Sequence, residues 1–281
     1  MPPKFSIVTP SYRQLDWLRL CAASIADQDS VQVEHIVQDA GTGPELEEWA
    51  AGKSSLKLYV EKDNGMYDAV NRGLKRATGE ILAYLNCDEQ YLPGTLSAVG
   101  DFFSQHPDVD VAFGNVVIVD STGRYICSRE VLSPHLYHTW VCTLPVFTAA
   151  TFFRRRVIDQ HKLYFSDQWR DLGDAVWVLE LLKRRVAIAP LGRFVTAFTD
   201  TGENMNLKQN AIQERMHLSR SAPRWVQMLR RFWVLQHRLT RLWAGHYWPR
   251  PFSYSIYTSQ NDKERRTFHV EKPTGVWRNR L

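Results

Sequence analysis

Apolar and polar positions change their period along the first part of the chain. Short, nearly continuous apolar runs, which predict strands buried on both faces, occupy residues 5–9, 33–38, 56–61 and 81–85. Apolar residues at helical spacing, which predict amphipathic helices, occupy residues 15–26, 44–51 and 69–77. Pro10 is expected to end the first strand. Because strands alternate with helices, the pattern predicts an α/β fold built on a doubly wound sheet.

The pattern is less regular beyond residue 90. The predicted elements are a helix over 95–106, a hairpin of strands 109–119 and 125–128, and a helix over 175–182. The first hairpin strand is expected to be interrupted at Gly114-Asn115. Residues 133–147 show little regularity, so His135 and His138 are interpreted as solvated or core imidazoles rather than as ligands.

Residues 206–281 differ in character from residues 1–205, and we predict a domain boundary between them. The predicted elements of this extension are an amphipathic helix over 207–221, a helix over 225–244 and a hairpin over 252–277. Pro223 separates the two helices. The second helix mixes aromatic residues with arginines, as helices at a membrane surface do, but a packing helix with an exposed basic face fits the pattern equally well.

The charge distribution reinforces this division. The 281 residues carry a formal net charge of +5, but residues 1–202 hold 20 Lys or Arg against 25 Asp or Glu, whereas residues 203–281 hold 15 against 5. A basic C-terminal part predicts contact with something anionic. No nucleic-acid-binding motif accompanies it, so a membrane surface is the favoured partner.

The four cysteines show no CxxC spacing and no paired framework, which predicts reduced thiols in a cytosolic setting and no zinc site. The N-terminal residues lack the pattern of a signal peptide, and no apolar run approaches the length of a membrane span. We therefore expect a cytoplasmic protein, at most peripheral on the inner face of the plasma membrane.

The candidate chemistry is concentrated in residues 61–89. A turn at Asp63-Asn64-Gly65 leads into a helix with Asp68, Asn71, Arg72 and Lys75 on one face, which can hold a ligand, and then into the strand 81–85. Asp88 follows this strand, where open α/β sheets collect ligands. Its carboxylate suits Mg²⁺ or Mn²⁺ bound together with a diphosphate, although an ordinary acidic turn is the alternative.

Several blocks together resemble the family 2 glycosyltransferases, which have the GT-A fold. The run D-N-G-M-Y-D-A-V-N-R-G-L-K-R-A-T-G-E-I-L-A-Y-L-N-C-D-E resembles the family's nucleotide-sugar-binding core, with Asn86-Cys87-Asp88 as a variant DXD motif. The blocks F-S-I-V-T-P-S-Y and V-Q-D-A-G-T resemble the first two strand ends, and F-F-R-R-R and G-D-A-V-W-V-L-E-L-L extend the resemblance to about residue 205. The implied fold is a mixed, doubly wound sheet flanked by helices, with a C-terminal helical and hairpin extension.

The resemblance also implies roles for individual residues. Asp88 would bind the metal ion, and Asp39 would accept hydrogen bonds from a uracil or thymine base. The remaining residues assigned to the nucleotide sugar are Thr9, Pro10, Tyr12, Asp63, Asn64, Gly65, Asp68, Asn71, Arg72 and Asn86. The serine-rich turn usual after Asp39 is altered here, which makes Thr42 a weaker candidate. One of Arg154, Arg155 and Arg156 could contact the diphosphate, but this role stays unassigned.

The general base is expected at the start of the helix over 175–182. Asp174 is favoured, because its block resembles the family's acidic pair and acceptor-side helix. Glycine replaces the second acid of that pair at Gly173, so Asp171 stays a rival. An N-cap carboxylate is the structural alternative for Asp174.

The expected function is inverting, metal-dependent transfer of a sugar from a nucleoside diphosphate sugar, with UDP favoured, to a hydroxyl acceptor in cell-surface polysaccharide or glycolipid synthesis. Two alternatives stay open. A sugar nucleotidyltransferase needs a glycine-rich phosphate loop after the first strand, and T-P-S-Y-R is not one. The chain could instead be a non-catalytic binding module that its basic extension recruits to membranes. The pattern does not identify the sugar, the acceptor or the oligomeric state.

Overall fold

The computed structural model describes residues 4–202 and 209–277, and a nine-stranded mixed sheet forms the centre of the protein. Its strands are β1 (Lys4–Ser11), β2 (Gln32–Asp39), β3 (Leu56–Val60), β4 (Ile81–Tyr84), β5 (Glu89–Tyr91), β6 (Val111–Asp120), β7 (Tyr125–Arg129), β8 (Thr151–Arg154) and β9 (Ile188–Asp200). The helices between them are α1 (Leu15–Ala26), α2 (Pro44–Ala51), α3 (Met66–Arg76), α4 (Thr95–Gln105), α5 (Leu136–Val141), α6 (Arg156–Asp159) and α7 (Gly173–Lys183). The predicted fold class is confirmed.

The strand order is β3-β2-β1-β4-β8-β6-β9-β5, and β7 pairs with β6. The first four of these strands are parallel, with Ile7 opposite His35 on one side and Ala83 on the other. β8 then runs antiparallel to both β4 and β6. The carboxyl ends of β1, β2 and β4 therefore lie at one edge of the sheet, where ligands of open α/β sheets collect.

The core consists of two apolar layers, because successive strand residues point to opposite faces of the sheet. One layer packs under α3 and α7 and includes Val8, Ile36, Val70, Leu74, Phe153 and Trp177. The other packs under α1 and α4 and includes Ile7, Cys21, Ile25, Ala83, Leu96 and Val99. Full burial of each large apolar side chain contributes about 1.5–3 kcal/mol, so these layers fix the strand ends firmly.

The C-terminal part consists of helices and a hairpin. Its helices are α8 (Gln209–Arg220), α9 (Arg224–Met228) and α10 (Arg230–Trp243), and its strands are β10 (Phe252–Thr258) and β11 (Asn261–Val270). α8 and α10 contact α5, and the hairpin contacts α1. Arg265 and Tyr257 of the hairpin donate to the carboxylate of Asp27, at 2.5 and 2.9 Å. The extension is thus anchored to the sheet domain, and the boundary at residue 205 stays a prediction.

Most predicted elements are present, and four predictions were wrong. β1 continues through Pro10 to Ser11. Its pairing with β4 ends at Val8, so the strand needs no hydrogen bond from the N–H that Pro10 lacks. β6 is continuous, and its predicted interruption is only a shift in its register with β9. The stretch predicted to be irregular contains α5. The helix predicted over 225–244 is divided at Leu229.

One long strand, β9, was not predicted at all. It lies between β6 and β5, and its second half is buried or half-buried because it pairs with both strands. Residues 207 and 208, which begin one predicted helix, lie outside the described residues. Within the described ranges, no helix has the length and apolar character needed to cross a bilayer.

Candidate active site

A cleft of about 1220 Å³ opens at the carboxyl ends of β1 and β4 and at the N-terminus of α7. Eight predicted site residues line it: Pro10, Tyr12, Asp63, Gly65, Asn86, Asp88, Asp171 and Asp174. The sheet therefore brings together residues that are separated by up to 164 positions in the chain, from Pro10 to Asp174. The predicted acidic and polar side chains thus share one cleft.

The floor of the cleft is acidic and poorly hydrated. Asp88 lies between β4 and β5, and Glu89 is the first residue of β5. The carboxylate of Glu89 accepts the backbone N–H of Asn86 at 2.8 Å, which closes the turn between the two strands. Burial raises the pKa of both carboxyl groups, and the charge of Asp88 raises that of Glu89 further. Two adjacent acids in a low-dielectric site are costly without a cation nearby.

The floor residues fit a divalent ion. The Oδ1 atom of Asn86 is buried and has no hydrogen-bond partner among the described residues, so an oxygen ligand is available beside the carboxylate of Asp88. The described chain holds no cluster of three His, Cys, Asp or Glu side chains suited to a metal. Mg²⁺ is commonly bound through one or two carboxylates together with waters and substrate phosphates, so the donor set is sufficient for it.

Asp174 occupies the first turn of α7 and faces the same cleft. Its Oδ1 atom accepts the N–H of Ala175 at 2.7 Å, and its own N–H donates to the hydroxyl of Tyr67 at 3.1 Å. Burial raises the pKa of Asp174 from 3.8 to about 6. A carboxylate with this pKa can accept a proton near neutral pH and still be ionised beforehand.

The missing second acid has a steric explanation. A Cβ atom on Gly173 would lie 2.5 Å from the ring of Tyr67, so no larger residue fits while Tyr67 holds its place. Tyr67 is itself buried in α3 and stacks on Phe165. The glycine therefore admits the tyrosine that supports the backbone of Asp174.

Asp171 also lines the cleft, but its carboxylate has an internal partner. Its Oδ2 atom accepts from Nδ2 of Asn210 at 2.8 Å. The carboxylate of Glu214 on the same helix, α8, accepts the backbone N–H groups of residues 170–172. Asp171 thus belongs to the contact that fixes the loop before α7, which leaves Asp174 as the better-placed base.

Six predicted site residues do not line the cleft, and their binding roles stay predictions. The Oγ1 atom of Thr9 is buried at 2.9 Å from Nε2 of His35. The fully buried carboxylate of Asp39 accepts the N–H groups of Gly41 and Thr42 and the Thr42 hydroxyl, so it shapes the turn after β2. Any contact of Asp39 with a base would use a remaining lone pair.

The other four belong to α3 and the turn before it. Asp68 accepts the N–H of Asn64 at 3.0 Å and forms an ion pair with Arg72 at 2.8 Å. Asn71 donates to the carbonyl of Phe165 at 2.7 Å and accepts its N–H at 3.0 Å. The polar face of α3 thus consists mainly of internal contacts, in contrast to the ligand-binding face that we expected.

Two groups of cleft residues were not predicted. Tyr67, which supports Asp174, lies within the D-N-G-M-Y-D-A block, so the block itself was an available signal. The second group of lining residues is Arg129, Thr139, His237 and Arg241. They come from β7, α5 and α10, and no local motif marks them.

Comparisons with known proteins give the family and the fold of the chain. The chain matches the family model described as glycosyl transferase family 2 over residues 6–162, which ends before α7. A PGL/p-HBAD biosynthesis glycosyltransferase of Mycobacterium tuberculosis is 33% identical over 129 residues, which are 44% of this chain and 50% of that protein. An uncharacterised glycosyltransferase of a Nostoc species is 23% identical over 232 residues, 76% of this chain and 65% of that protein.

The fold matches solved structures as well. TarS 1-349 of S. aureus in complex with UDP-GlcNAc superposes with a TM-score of 0.62 at 19% identity, over 77% of this chain and 65% of that one. The same fragment in complex with UDP gives a TM-score of 0.59 at 18% identity, over 86% and 72%. The chain spans about half the length of the mycobacterial relatives that it matches.

Proposed function

This chain belongs to glycosyl transferase family 2, and on that premise we propose that it is an inverting, metal-dependent glycosyltransferase. It would transfer a sugar from a nucleoside diphosphate sugar, with UDP favoured, to a hydroxyl group of an acceptor in cell-surface polysaccharide or glycolipid synthesis. The observation that carries the proposal is that Asp88 and Asp174 share one cleft while burial raises the pKa of Asp174 to about 6.

Asp174 is the proposed general base. The attacking hydroxyl loses its proton to the Oδ2 atom of this carboxylate. The Ala175 N–H donates to Oδ1, and the Tyr67 hydroxyl accepts the backbone N–H of Asp174, so both hold the side chain in position. Proton transfer of this kind contributes typically about 10²–10⁴-fold to the rate. Attack from the side of Asp174, opposite the departing diphosphate, would invert the anomeric carbon.

Asp88 and the Oδ1 atom of Asn86 are the groups that would hold Mg²⁺ or Mn²⁺. Such an ion, when bound, supplies a Lewis acid that offsets the charge developing on the departing diphosphate. The protein contributes a floor that excludes water, because Cys87 and Glu89 on either side of Asp88 are buried. Low local dielectric strengthens every charge interaction at this point.

The donor end of the cleft is assigned to the strand β1 side. Pro10 and Tyr12 line the cleft there, and the ring of Tyr12 is exposed and free to stack on a base or ribose. The complexes of TarS with UDP and UDP-GlcNAc support a uridine nucleotide. Asp39 would read the base from the buried turn after β2.

The acceptor is proposed to be a glycan or a lipid-linked sugar at an anionic membrane surface. Met228 and Trp243 of α9 and α10 are 85% and 87% exposed, and Trp248 beyond them is 67% exposed. Exposed arginines such as Arg231 and Arg238 accompany them. Aromatic and apolar side chains among cations favour an interfacial contact with the inner leaflet of the plasma membrane.

A donor screen tests the central proposal. Purified protein is heated with UDP-, GDP- or dTDP-sugars, with and without Mn²⁺, and the melting temperature is recorded. We expect metal-dependent stabilisation by a UDP-sugar, because a ligand that binds the folded state raises its melting temperature. Asp88→Asn should abolish the metal dependence. Metal-independent binding by both proteins would contradict the metal role.

Vesicle sedimentation tests the membrane contact. Wild-type protein should sediment with vesicles rich in phosphatidylglycerol, and Met228→Ser/Trp243→Ser should do so much less. The matched control is Ile212→Ser/Met216→Ser, which removes two exposed apolar side chains from α8. Equal losses in both double variants would mean that the α9–α10 surface has no specific role.

A further inference from the structure

Part of the cleft lining is basic. We define the basic wall as the four cleft-lining residues Arg129, Thr139, His237 and Arg241. Arg129 ends β7, Thr139 lies in α5, and the other two lie in α10. The helix α5 contacts both α7, which carries Asp174 in its first turn, and α10.

One residue of the wall, Thr139, has an unsatisfied polar atom. Its hydroxyl is buried, the residue is only 3% exposed, and the hydroxyl has no hydrogen-bond partner among the described residues. Buried polar groups in native structures almost always have partners, so a buried hydroxyl without one in the lining of a cleft points to a ligand as its partner.

The arginines of the wall lack acidic partners. Arg241 donates to the backbone carbonyl of Glu130 at 3.1 Å, and the Glu130 carboxylate lies 3.6 Å from Nε2 of His246 instead. Neither Arg129 nor Arg241 forms an ion pair with a carboxylate in the part of the chain that the structure describes. Two guanidinium groups therefore line the cleft without a directly paired carboxylate among the described residues, and the charge of Glu130 acts on Arg241 only from beyond ion-pair distance.

The histidines beside them add donors and acceptors rather than charge. The rings of His138 and His237 stack with their centroids 4.2 Å apart. Burial lowers the pKa of His138 to about 4 and also lowers the pKa of His237, so both are neutral at pH 7. The positive charge of the wall thus belongs to the two arginines.

We propose that the basic wall is a subsite for a phosphate group carried by the acceptor. Guanidinium groups bind phosphate oxygens in bidentate geometry, and the Thr139 hydroxyl would donate to a further oxygen. The donor diphosphate is a less suitable occupant, because the proposed function assigns it to the groups that would hold the metal ion, Asp88 and Asn86. This inference rests on the proposed transfer function and specifies its acceptor as a phosphorylated one.

Two sources of such a phosphate differ in their chemistry. A lipid carrier would present a phosphate on an alkyl chain, and a phosphorylated glycan would present it on a polyol. The shared phosphate is tested with octyl phosphate below its micelle concentration and with glycerol 3-phosphate, and octyl glucoside serves as the uncharged probe. Tighter binding of octyl phosphate would assign a lipid carrier, and equal binding of both phosphates would assign a glycan.

The experiment is calorimetric titration of the full chain with each probe in the presence of UDP and Mg²⁺, which occupy the donor end. The Arg129→Gln/Arg241→Gln variant should bind octyl phosphate about tenfold more weakly or worse, since hydrogen bonds to charged groups are the stronger ones. Its affinity for UDP should change less than about twofold, because additivity holds for distant sites. The charge-matched control is Arg124→Gln/Arg193→Gln, which removes two exposed arginines outside the cleft.

The outcomes separate this subsite from the donor site. Unchanged binding of octyl phosphate to the wall variant, or no binding of either phosphate to a wild type that still binds UDP, would overturn the subsite. An equal loss in the control variant would reduce it to general charge attraction. Arginine-dependent phosphate binding by a protein that binds no UDP would support the subsite and contradict the proposed donor. Retained UDP binding shows that the variant is folded.

Discussion

The acidic floor and the basic wall carry opposite charges within one cleft. The floor, formed by Asp88, Glu89 and Asp174, holds carboxyl groups whose pKa values burial raises. The wall holds Arg241, whose pKa is lowered first by burial and then by the charge of Arg129. The proposals of a metal ion and of a phosphate group therefore assign each region a ligand of the opposite charge, a cation at the floor and an anion at the wall.

The two regions also differ in how their charges are supported. The floor carboxylates are tied to nearby backbone, as in the bond from the Asn86 N–H to Glu89 and from the Ala175 N–H to Asp174. The wall residues depend on the packing of α10 against α5. A substitution in the floor should therefore alter chemistry, whereas one in the wall should alter recognition.

The largest expected effect is on turnover, from Asp174→Asn. Asparagine keeps the size of the side chain and can still accept the Ala175 N–H, but it cannot accept a proton. Turnover should fall about 10²–10⁴-fold while UDP-sugar affinity changes little. In the wild type, kcat/KM should fall as the pH decreases through about 6, the pKa to which burial raises that of Asp174. Steady-state kinetics and calorimetry check both parts.

Asp171→Asn is the matched comparison for this loss. Its carboxylate accepts from Asn210, so removal of the charge should cost far less turnover than Asp174→Asn does. A greater loss of turnover in Asp171→Asn than in Asp174→Asn would identify Asp171 as the general base and contradict the role proposed for Asp174.

Asp174→Asn, which should lower turnover, should raise the stability of the protein. Because the folded pKa of Asp174, about 6, lies above its usual 3.8, the fold favours the protonated acid. The stabilisation is complete below pH 4 and is lost as the pH rises through 6. Asp174→Asn should thus raise the free energy of unfolding of the unliganded protein at pH 7.5 by about 1–3 kcal/mol, with no gain at pH 4.

Denaturant unfolding at the two pH values measures this difference. Asp171→Asn replaces a charge-assisted hydrogen bond from Asn210 with a neutral one, so it should not be stabilised at either pH. A stabilised but inactive Asp174→Asn variant would show that the buried carboxylate of Asp174 lowers the stability of the fold and is needed for turnover. An unchanged stability at pH 7.5 would mean that the carboxylate is well solvated.

A smaller effect is expected where Tyr67 supports the floor. Gly173→Ala would place a Cβ atom 2.5 Å from the Tyr67 ring, so the ring must move. This movement should lower the free energy of unfolding by about 1–3 kcal/mol. Turnover should fall with it, because the Tyr67 hydroxyl accepts the Asp174 N–H. Gly52→Ala is the control, since a Cβ atom there meets nothing within 4 Å. Equal melting temperatures for both variants would exclude the steric role of Gly173.

The floor could be predicted from the sequence because its residues follow elements with clear periodicity. Asn86 and Asp88 come directly after the apolar run of β4, and Asp174 begins the apolar face of α7. The parallel strands then bring these ends to one edge. The pattern did not predict the hydrogen-bond partner of each polar side chain. Helical spacing predicted that Asn71 lies on a polar face of its helix, but it did not predict the hydrogen bonds between Asn71 and the backbone of Phe165.

The wall could not be predicted, since its residues are distant in sequence. Arg129 and Arg241 become neighbours only when α10 packs on α5, and α5 lies in a stretch whose pattern predicted no helix. The charge asymmetry indicated that residues 203–281 are basic. It did not distinguish arginines that face the cleft from the many that face solvent.

The smallest expected effect is the sharpest test of the wall. Thr139→Val removes a buried hydroxyl that has no partner among the described residues and keeps the shape of the side chain. Without ligand, this removes an unsatisfied polar group, so the free energy of unfolding should rise by up to about 1 kcal/mol. With ligand, the lost donor should weaken octyl phosphate binding about two- to fivefold.

The control is Thr42→Val, which removes a hydroxyl that donates to Asp39 and should therefore be destabilised. A Thr139→Val variant that gains stability and keeps full phosphate affinity would remove Thr139 from the wall, while a loss of both would mean that its hydroxyl already has a partner within the fold.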